Sequence, residues 1–192
     1  LKKLCHSSRE RRKSGCIVLD GMHLIESYVE KLDVPEEIVV SESGTRRGEI
    51  EKFLESRKSG QAITLLADPL FSDLASVETP SGIMAVVARP HNASGLSPEE
   101  DALVLDGIQD PGNLGSILRT AAAAGFRQVL LSADCAQAWS PKTLRAGMGA
   151  HFQLDIHENS DLPAFLGGYR EPVLVTTLEA TDALFSLDLK KP

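Results

Sequence analysis

The chain has 192 residues, 42% hydrophobic and 24% charged, with a formal net charge of −7. That balance is ordinary for a globular protein and excludes one that coats nucleic acid over its whole surface. No apolar run reaches the ~20 residues of a membrane span.

The opening Leu1-Lys2-Lys3 carries no secretory pattern, and residues 1–13 read as an exposed helix. This stretch sets Lys2, Lys3, Arg9, Arg11, Arg12 and Lys13 against the single Glu10, a local charge of +5. A basic arm on an acidic body can contact phosphate, although a solvated helix face reads the same way. Gly15 to Leu19 predicts the first strand, closed by Asp20-Gly21. His23 to Leu32 places Leu24, Ile25, Tyr28, Val29 and Leu32 on one helical face. A second strand follows over Glu37–Val40, then a charged helix around Gly48–Arg57 and a third strand over Ala62–Leu66. A short helix at Leu70–Ala75 leads through Thr79-Pro80-Ser81-Gly82 into a strand at Ile83–Ala88. Residues 1–88 thus describe a small α/β domain with its own core. Residues 89–100, RPHNASGLSPEE, read as a linker to a second domain over 101–192.

The second domain opens with a short buried strand, Ala102–Leu105. Asp110-Pro111-Gly112-Asn113 supplies turn chemistry, and from Leu114 the period becomes helical, with Leu114, Ile117, Leu118, Ala121 and Ala122 on one stripe. Gly115 and Arg119 lie one turn apart beside that stripe. Ligand sites of open α/β sheets commonly sit at such strand-to-helix turns. A strand at Gln128–Leu131 follows, and Ser140-Pro141 starts another helix. Further strands are expected at Phe152–Ile156 and Pro172–Thr177, flanking a short helix at Leu162–Leu166. Four strands and their helices make a parallel sheet. Cys5, Cys16 and Cys135 lack C-x-x-C spacing and fit reduced thiols in a cytoplasm. The five histidines show no ligand spacing, so no metal is expected.

Two motifs then stand in order: Asn113-Leu114-Gly115-x-x-x-Arg119 after Asp-Pro-Gly, and Ser140-Pro141-Lys142-x-x-Arg145-Ala146-Gly147-Met148-Gly149-Ala150. Together they resemble the first two motifs of the SpoU/TrmH family, RNA ribose 2′-O-methyltransferases of the SPOUT (α/β-knot) superfamily. Arg9-Glu10-Arg11-Arg12-Lys13 ahead of an apolar strand, and Glu78-Thr79-Pro80-Ser81-Gly82-Ile83, resemble that family's N-terminal substrate-binding domain. The family's third motif, a glycine-rich N-E-G-x-G loop followed by S-L-N-V-S, has no counterpart. The resemblance therefore implies a small substrate-binding α/β domain followed by a SPOUT parallel-sheet domain whose knot segment is missing from this chain.

The resemblance implies methyl transfer from S-adenosylmethionine to a ribose 2′-hydroxyl, in ribosomal RNA before transfer RNA, by a homodimer, which the cysteine usage places in the cytoplasm. Arg119 matches the family's catalytic arginine. A guanidinium is not a general base in proteins, so its expected work is to bind the flanking phosphate and stabilise charge developing on the 2′-oxygen. Asn113 is expected to orient ribose or phosphate, and Gly115 to let RNA approach the helix. Arg145 is expected to touch RNA or a partner subunit, with a structural ion pair the equal alternative. Arg9, Arg11, Arg12 and Lys13 are the expected RNA contacts of the arm. Thr177, Leu178 and Glu179 correspond to the loop flanking the cofactor. A non-catalytic RNA-binding protein of the same descent stays open, on the missing third motif. A phosphate-turn enzyme is disfavoured because neither G-x-G-x-x-G nor G-x-x-x-x-G-K-[ST] occurs.

Overall fold

The computed structural model describes residues 1–56, 60–75, 79–92, 95–177, 179, 180, 183 and 186. Two sheets organise it. The first has the order β1-β4-β2-β3, from β1 (Cys16–Asp20), β2 (Glu37–Ser41), β3 (Ile63–Leu66) and β4 (Ile83–Ala88). Here β4 runs antiparallel to both β1 and β2, while β2 and β3 are parallel. The second is parallel throughout, β5-β6-β7, from β5 (Ala102–Leu105), β6 (Gln128–Leu131) and β7 (Asp155–His157).

Period-two alternation sorts the first sheet's side chains onto two faces. Ile17, Leu19, Ile38, Val40, Ile83, Ala85 and Val87 pack with Leu24, Ile25 and Tyr28 of α3 (Met22–Lys31) and with Ile50 and Phe53 of α4 (Gly48–Glu55). Val18, Val39 and Met84 on the other face meet Cys5 of α1 (Lys2–His6) and Phe71 of α5 (Asp68–Leu74). The first face does not stop at the N-terminal half. Its cluster continues through Leu105, Leu114, Leu118, Val129, Leu131, Trp139, Leu144 and Ile156. On this face the core is shared between the halves, while the cluster around Cys5 and Phe71 on the other face belongs to residues 1–88 alone, as expected of a domain with its own core.

Three elements differ from expectation. The opening basic stretch is two helices, α1 and α2 (Ser8–Ser14), broken at Ser7, whose hydroxyl caps α2 by accepting the Glu10 N–H. Ala150–Gln153 is a 3-10 turn and the strand starts only at Asp155, because left-handed Met148 and Gly149 redirect the chain after α7 (Pro141–Gly147). Residues 172–177 form no strand among the described residues. Val173, Leu174 and Val175 stay exposed despite their apolar sequence with two β-branched valines, because a strand needs a paired neighbour as well as propensity.

Candidate active site

The site is built on α6 (Pro111–Ala123), which leaves the C-terminal end of β5. Asp110 is its N-cap: the carboxylate accepts the Asn113 N–H at 2.7 Å, and Pro111 occupies the first turn, where no N–H is needed. Asp110-Pro111-Gly112-Asn113 is therefore the helix's first turn and not a turn ahead of it. The loops after β5 and β6 are stitched together beside it. Gly107 N–H donates to Ser132 Oγ at 3.1 Å, and Ala136 N–H to the Ile108 carbonyl at 2.8 Å.

Leu114, Leu118 and Ala121 are buried, which leaves Asn113, Ser116 and Arg119 exposed at three-residue steps along one ridge. Helical side chains lean toward the helix N-terminus, the direction in which Ser116 and the capped turn lie from Arg119. Neither the Asn113 amide nor Arg119 has a hydrogen-bonding or ionic partner among the described residues. This ridge offers an amide and a planar fork of N–H donors, a set suited to phosphate and ribose oxygens.

Gly115 does something else than expected. A Cβ there would lie 2.5 Å from the Ala146 Cβ, 2.6 Å from the Thr143 carbonyl and 2.8 Å from the Gly147 nitrogen. The glycine is buried against α7 and lets the two helices touch, so RNA has no approach at that position. On α7, Ser140 caps the first turn by accepting the Thr143 N–H, and Gly147 in turn leaves room for the His151 ring. His151 is buried, with Nε2 donating to the Ala138 carbonyl at 2.9 Å and the ring tilted on Trp139. Burial pushes it down to about 4, only partly opposed by that bond, and the ring is neutral.

Arg145 projects from the other side of α7 to the end of β1, where its Nη1 lies 3.6 Å from Asp20 Oδ2. Asp20 is buried, and its Oδ1 accepts the Ser81 hydroxyl at 2.6 Å. The basic arm divides. Arg9, Arg12 and Lys13 are exposed on α2, but Arg11 is only 6% exposed. Its guanidinium donates to the carbonyls of Leu4 (2.7 Å) and Cys5 (3.3 Å) and to Gln137 Oε1 of the C-terminal half. Burial pulls Arg11 below the usual guanidinium range. It is a structural tie and is withdrawn as an RNA contact. Arg89 makes a parallel tie, 3.4 Å from Glu158 and 5.1 Å over the Trp139 ring. Sequence reasoning missed these ties because Arg89 lies in the presumed linker and Arg11 inside a run of like residues.

The arm and Arg145 are not brought together. Arg12 stands beside Arg89 at the start of β1, whereas Arg145 reaches Asp20 at the end of the same strand. Near the arm, a cleft of about 610 Å³ is lined by Arg12, Arg89, Asn92, His157, Glu158 and Phe165, and no residue of the α6 ridge reaches it. Of the expected cofactor loop, Leu178 lies outside the described residues. Thr177 and Glu179 are exposed, and Glu179 N–H donates to Thr177 Oγ1 at 3.4 Å. Both side chains face solvent among the described residues. No described helix is long and apolar enough to cross a membrane.

Comparison with known proteins gives this geometry its context. Residues 101–192 match the SpoU rRNA Methylase family, and residues 1–85 match an MRM3-like substrate binding domain. The chain is 36% identical to human "rRNA methyltransferase 3, mitochondrial" over 78% of its own length and 36% of that protein. It is 33% identical to Bacillus subtilis "23S rRNA (guanosine(2553)-2'-O)-methyltransferase RlmP", covering 86% of this chain and 62% of the relative. A Synechocystis "Uncharacterized tRNA/rRNA methyltransferase slr1673" is 30% identical over 97% of this chain and 69% of its own. The chain thus spans from about a third to somewhat over two thirds of these relatives. In fold it is similar to the SpoU methyltransferase AviRb of Streptomyces viridochromogenes, solved with AdoMet, at a TM-score of 0.73 and 20% identity. That likeness covers 86% of this chain and 63% of AviRb.

Proposed function

Because the chain belongs to the SpoU rRNA methylase family, we propose that it serves the methylation of a ribose 2′-hydroxyl in RNA, with ribosomal RNA as substrate and S-adenosylmethionine as methyl donor. The observation that carries this reading is the exposed ridge of α6, where Asn113 and Arg119 stand with no other partner among the described residues, at the C-terminal edge of a parallel sheet. When bound, the cofactor supplies an electrophilic sulfonium methyl.

The chain's own residues act on the RNA side. Arg119 grips the phosphate beside the target ribose and offers N–H donors to charge building on the 2′-oxygen. Asn113 orients the ribose, and positioning of the hydroxyl supplies much of the rate. A guanidinium keeps its protons, so Arg119 does not accept the proton of the hydroxyl. Arg9, Arg12, Lys13 and Arg145 contact RNA phosphates. We place Thr177, Leu178 and Glu179 beside the cofactor, the division of labour at 1–88 and 101–192, and the active form as a cytoplasmic homodimer.

The test is incubation with ribosomal RNA and methyl-labelled S-adenosylmethionine, followed by alkaline hydrolysis. Label in alkali-resistant dinucleotides marks 2′-O-methylation. Label confined to bases, or none in RNA at all, overturns the reading.

A further inference from the structure

The geometry points to a second phosphate-binding element at the seam between the two halves, in which Arg47, ahead of α4, acts with Arg145 of α7 on the backbone of the same RNA. This rests on the ribose-methylation reading and adds a residue that the family motifs do not contain.

A continuous chain of contacts joins the two arginines. Arg47 Nη1 donates to the Ser81 carbonyl at 2.6 Å, and the Ser81 hydroxyl donates to Asp20 Oδ1 at 2.6 Å. Asp20 Oδ2 lies 3.6 Å from Arg145 Nη1. Each contact engages one Nη of a guanidinium that has five N–H donors. Arg47 is exposed, and the Arg145 side chain is 43% exposed, so both keep donors facing solvent. The Asp20 side chain is only 4% exposed. Arg46 stands exposed beside Arg47, with Glu49 and Glu51 in the first turn of α4 that follows.

The loop that carries Arg47 is held rigidly. Ser41 N–H donates to the Gly82 carbonyl at 3.0 Å, and Gly44 N–H to Ser41 Oγ at 2.9 Å. Gly44 sits so close to Gly82 that a Cβ would fall 2.2 Å from the Gly82 carbonyl oxygen. Gly82 itself has φ +86°, a backbone region that favours glycine. Ser43 is tied from its N–H and its hydroxyl to Asp68 Oδ1 at 2.9 and 2.8 Å. An arginine fixed before binding loses little side-chain entropy on meeting a phosphate, and its planar fork suits two phosphate oxygens. Through α7, which packs on α6 and along β1, the seam connects the helix bearing Arg119 to the N-terminal sheet.

The experiment is a salt titration of binding to a fluorescein-labelled RNA hairpin, with wild type, Arg47→Gln and Arg47→Lys, between about 50 and 200 mM salt. The expected result is a plot of log K against log [salt] whose slope falls by about one for Arg47→Gln and stays at the wild-type value for Arg47→Lys. A residue that only braced Ser81 would lower the melting temperature and leave the slope unchanged, and that outcome overturns the inference. Should Arg47→Gln fail to fold, phenylglyoxal labelling of the wild-type protein decides. RNA protects Arg47 if it binds phosphate, and equal labelling with and without saturating RNA overturns the inference. Wild type that binds RNA while Arg47 proves indifferent refutes this element alone. Wild type that binds no RNA refutes it together with the methyltransferase reading.

Discussion

A Cβ atom placed on Gly115 would lie 2.5 Å from the Cβ of Ala146, closer than two saturated carbons approach in any packed interior. Two neighbouring backbone atoms of α7, the Thr143 carbonyl oxygen and the Gly147 nitrogen, are as tightly placed and cannot swing aside. Gly115→Ala gains up to ~1 kcal/mol of helix propensity but must push α7 away, at a cost of about 1–3 kcal/mol. The expected result is a melting temperature lower by roughly 2–6 °C, read by calorimetry, with Ala146→Gly giving only partial rescue. A Gly115→Ala protein with an unchanged melting temperature and weakened RNA binding would return this glycine to the RNA surface.

Arg119 should behave in the opposite way. It is exposed and has no partner among the described residues, so Arg119→Ala should alter stability by no more than about 0.5 kcal/mol. Methyl transfer should fall by about two to three orders of magnitude. Arg119→Lys keeps charge without the fork and should recover RNA affinity while leaving most of the rate lost. Full activity in the lysine variant would end the bidentate role.

Adjacent arginines on α2 should separate cleanly. Removing Arg11 strands the Leu4 and Cys5 carbonyls and Gln137 Oε1 at the junction of the halves, so Arg11→Met should cost about 2–3 kcal/mol by chemical denaturation. Its effect on the salt dependence of RNA binding should be nil. Arg12→Gln should leave stability alone and reduce the salt slope by about one. Reversed outcomes would show that the burial of Arg11 is not its condition in solution.

His151 gives the protein an acid sensitivity. Its folded value of about 4 lies below the ordinary 6.5, so between these pH values the unfolded chain binds the proton and the native chain does not. Stability is complete above about 6.5 and is lost progressively as pH falls toward 4, by about 3 kcal/mol in all. His151→Gln, which keeps a donor for the Ala138 carbonyl and cannot titrate, should flatten the melting temperature across that window. An unchanged slope would assign the acid sensitivity to other groups.

The sequence was most readable where a local signal was sufficient. Short apolar runs placed Ile83–Ala88, Ala102–Leu105 and Gln128–Leu131 at their observed bounds, and Ser140-Pro141 marked the start of α7. It misled where a partner decides the outcome. Val173 to Val175 have the composition of a strand but no strand beside them among the described residues. At the site, Asn113 and Arg119 could be identified as a motif on one helix. The burial of Arg11 could not, since nothing in a run of basic residues tells which one turns inward. Gly115 was recognised as special for the wrong reason: a small residue beside an arginine reads equally as space for a ligand or for a helix, and only the position of α7 decides.

The hydrophobic cluster that runs from Ile17 and Ile38 through Trp139 and Leu144 to Ile156 bears on how substrate preference could be re-engineered. Two family matches, over residues 1–85 and 101–192, invite a graft of one recognition unit onto another catalytic unit. Such a chimera would expose half of a core and strand the partners of Arg11, Arg89 and Asp20. The transferable module is therefore larger than residues 1–88: it must bring its own counterparts of Gln137, Trp139, Arg145 and Glu158.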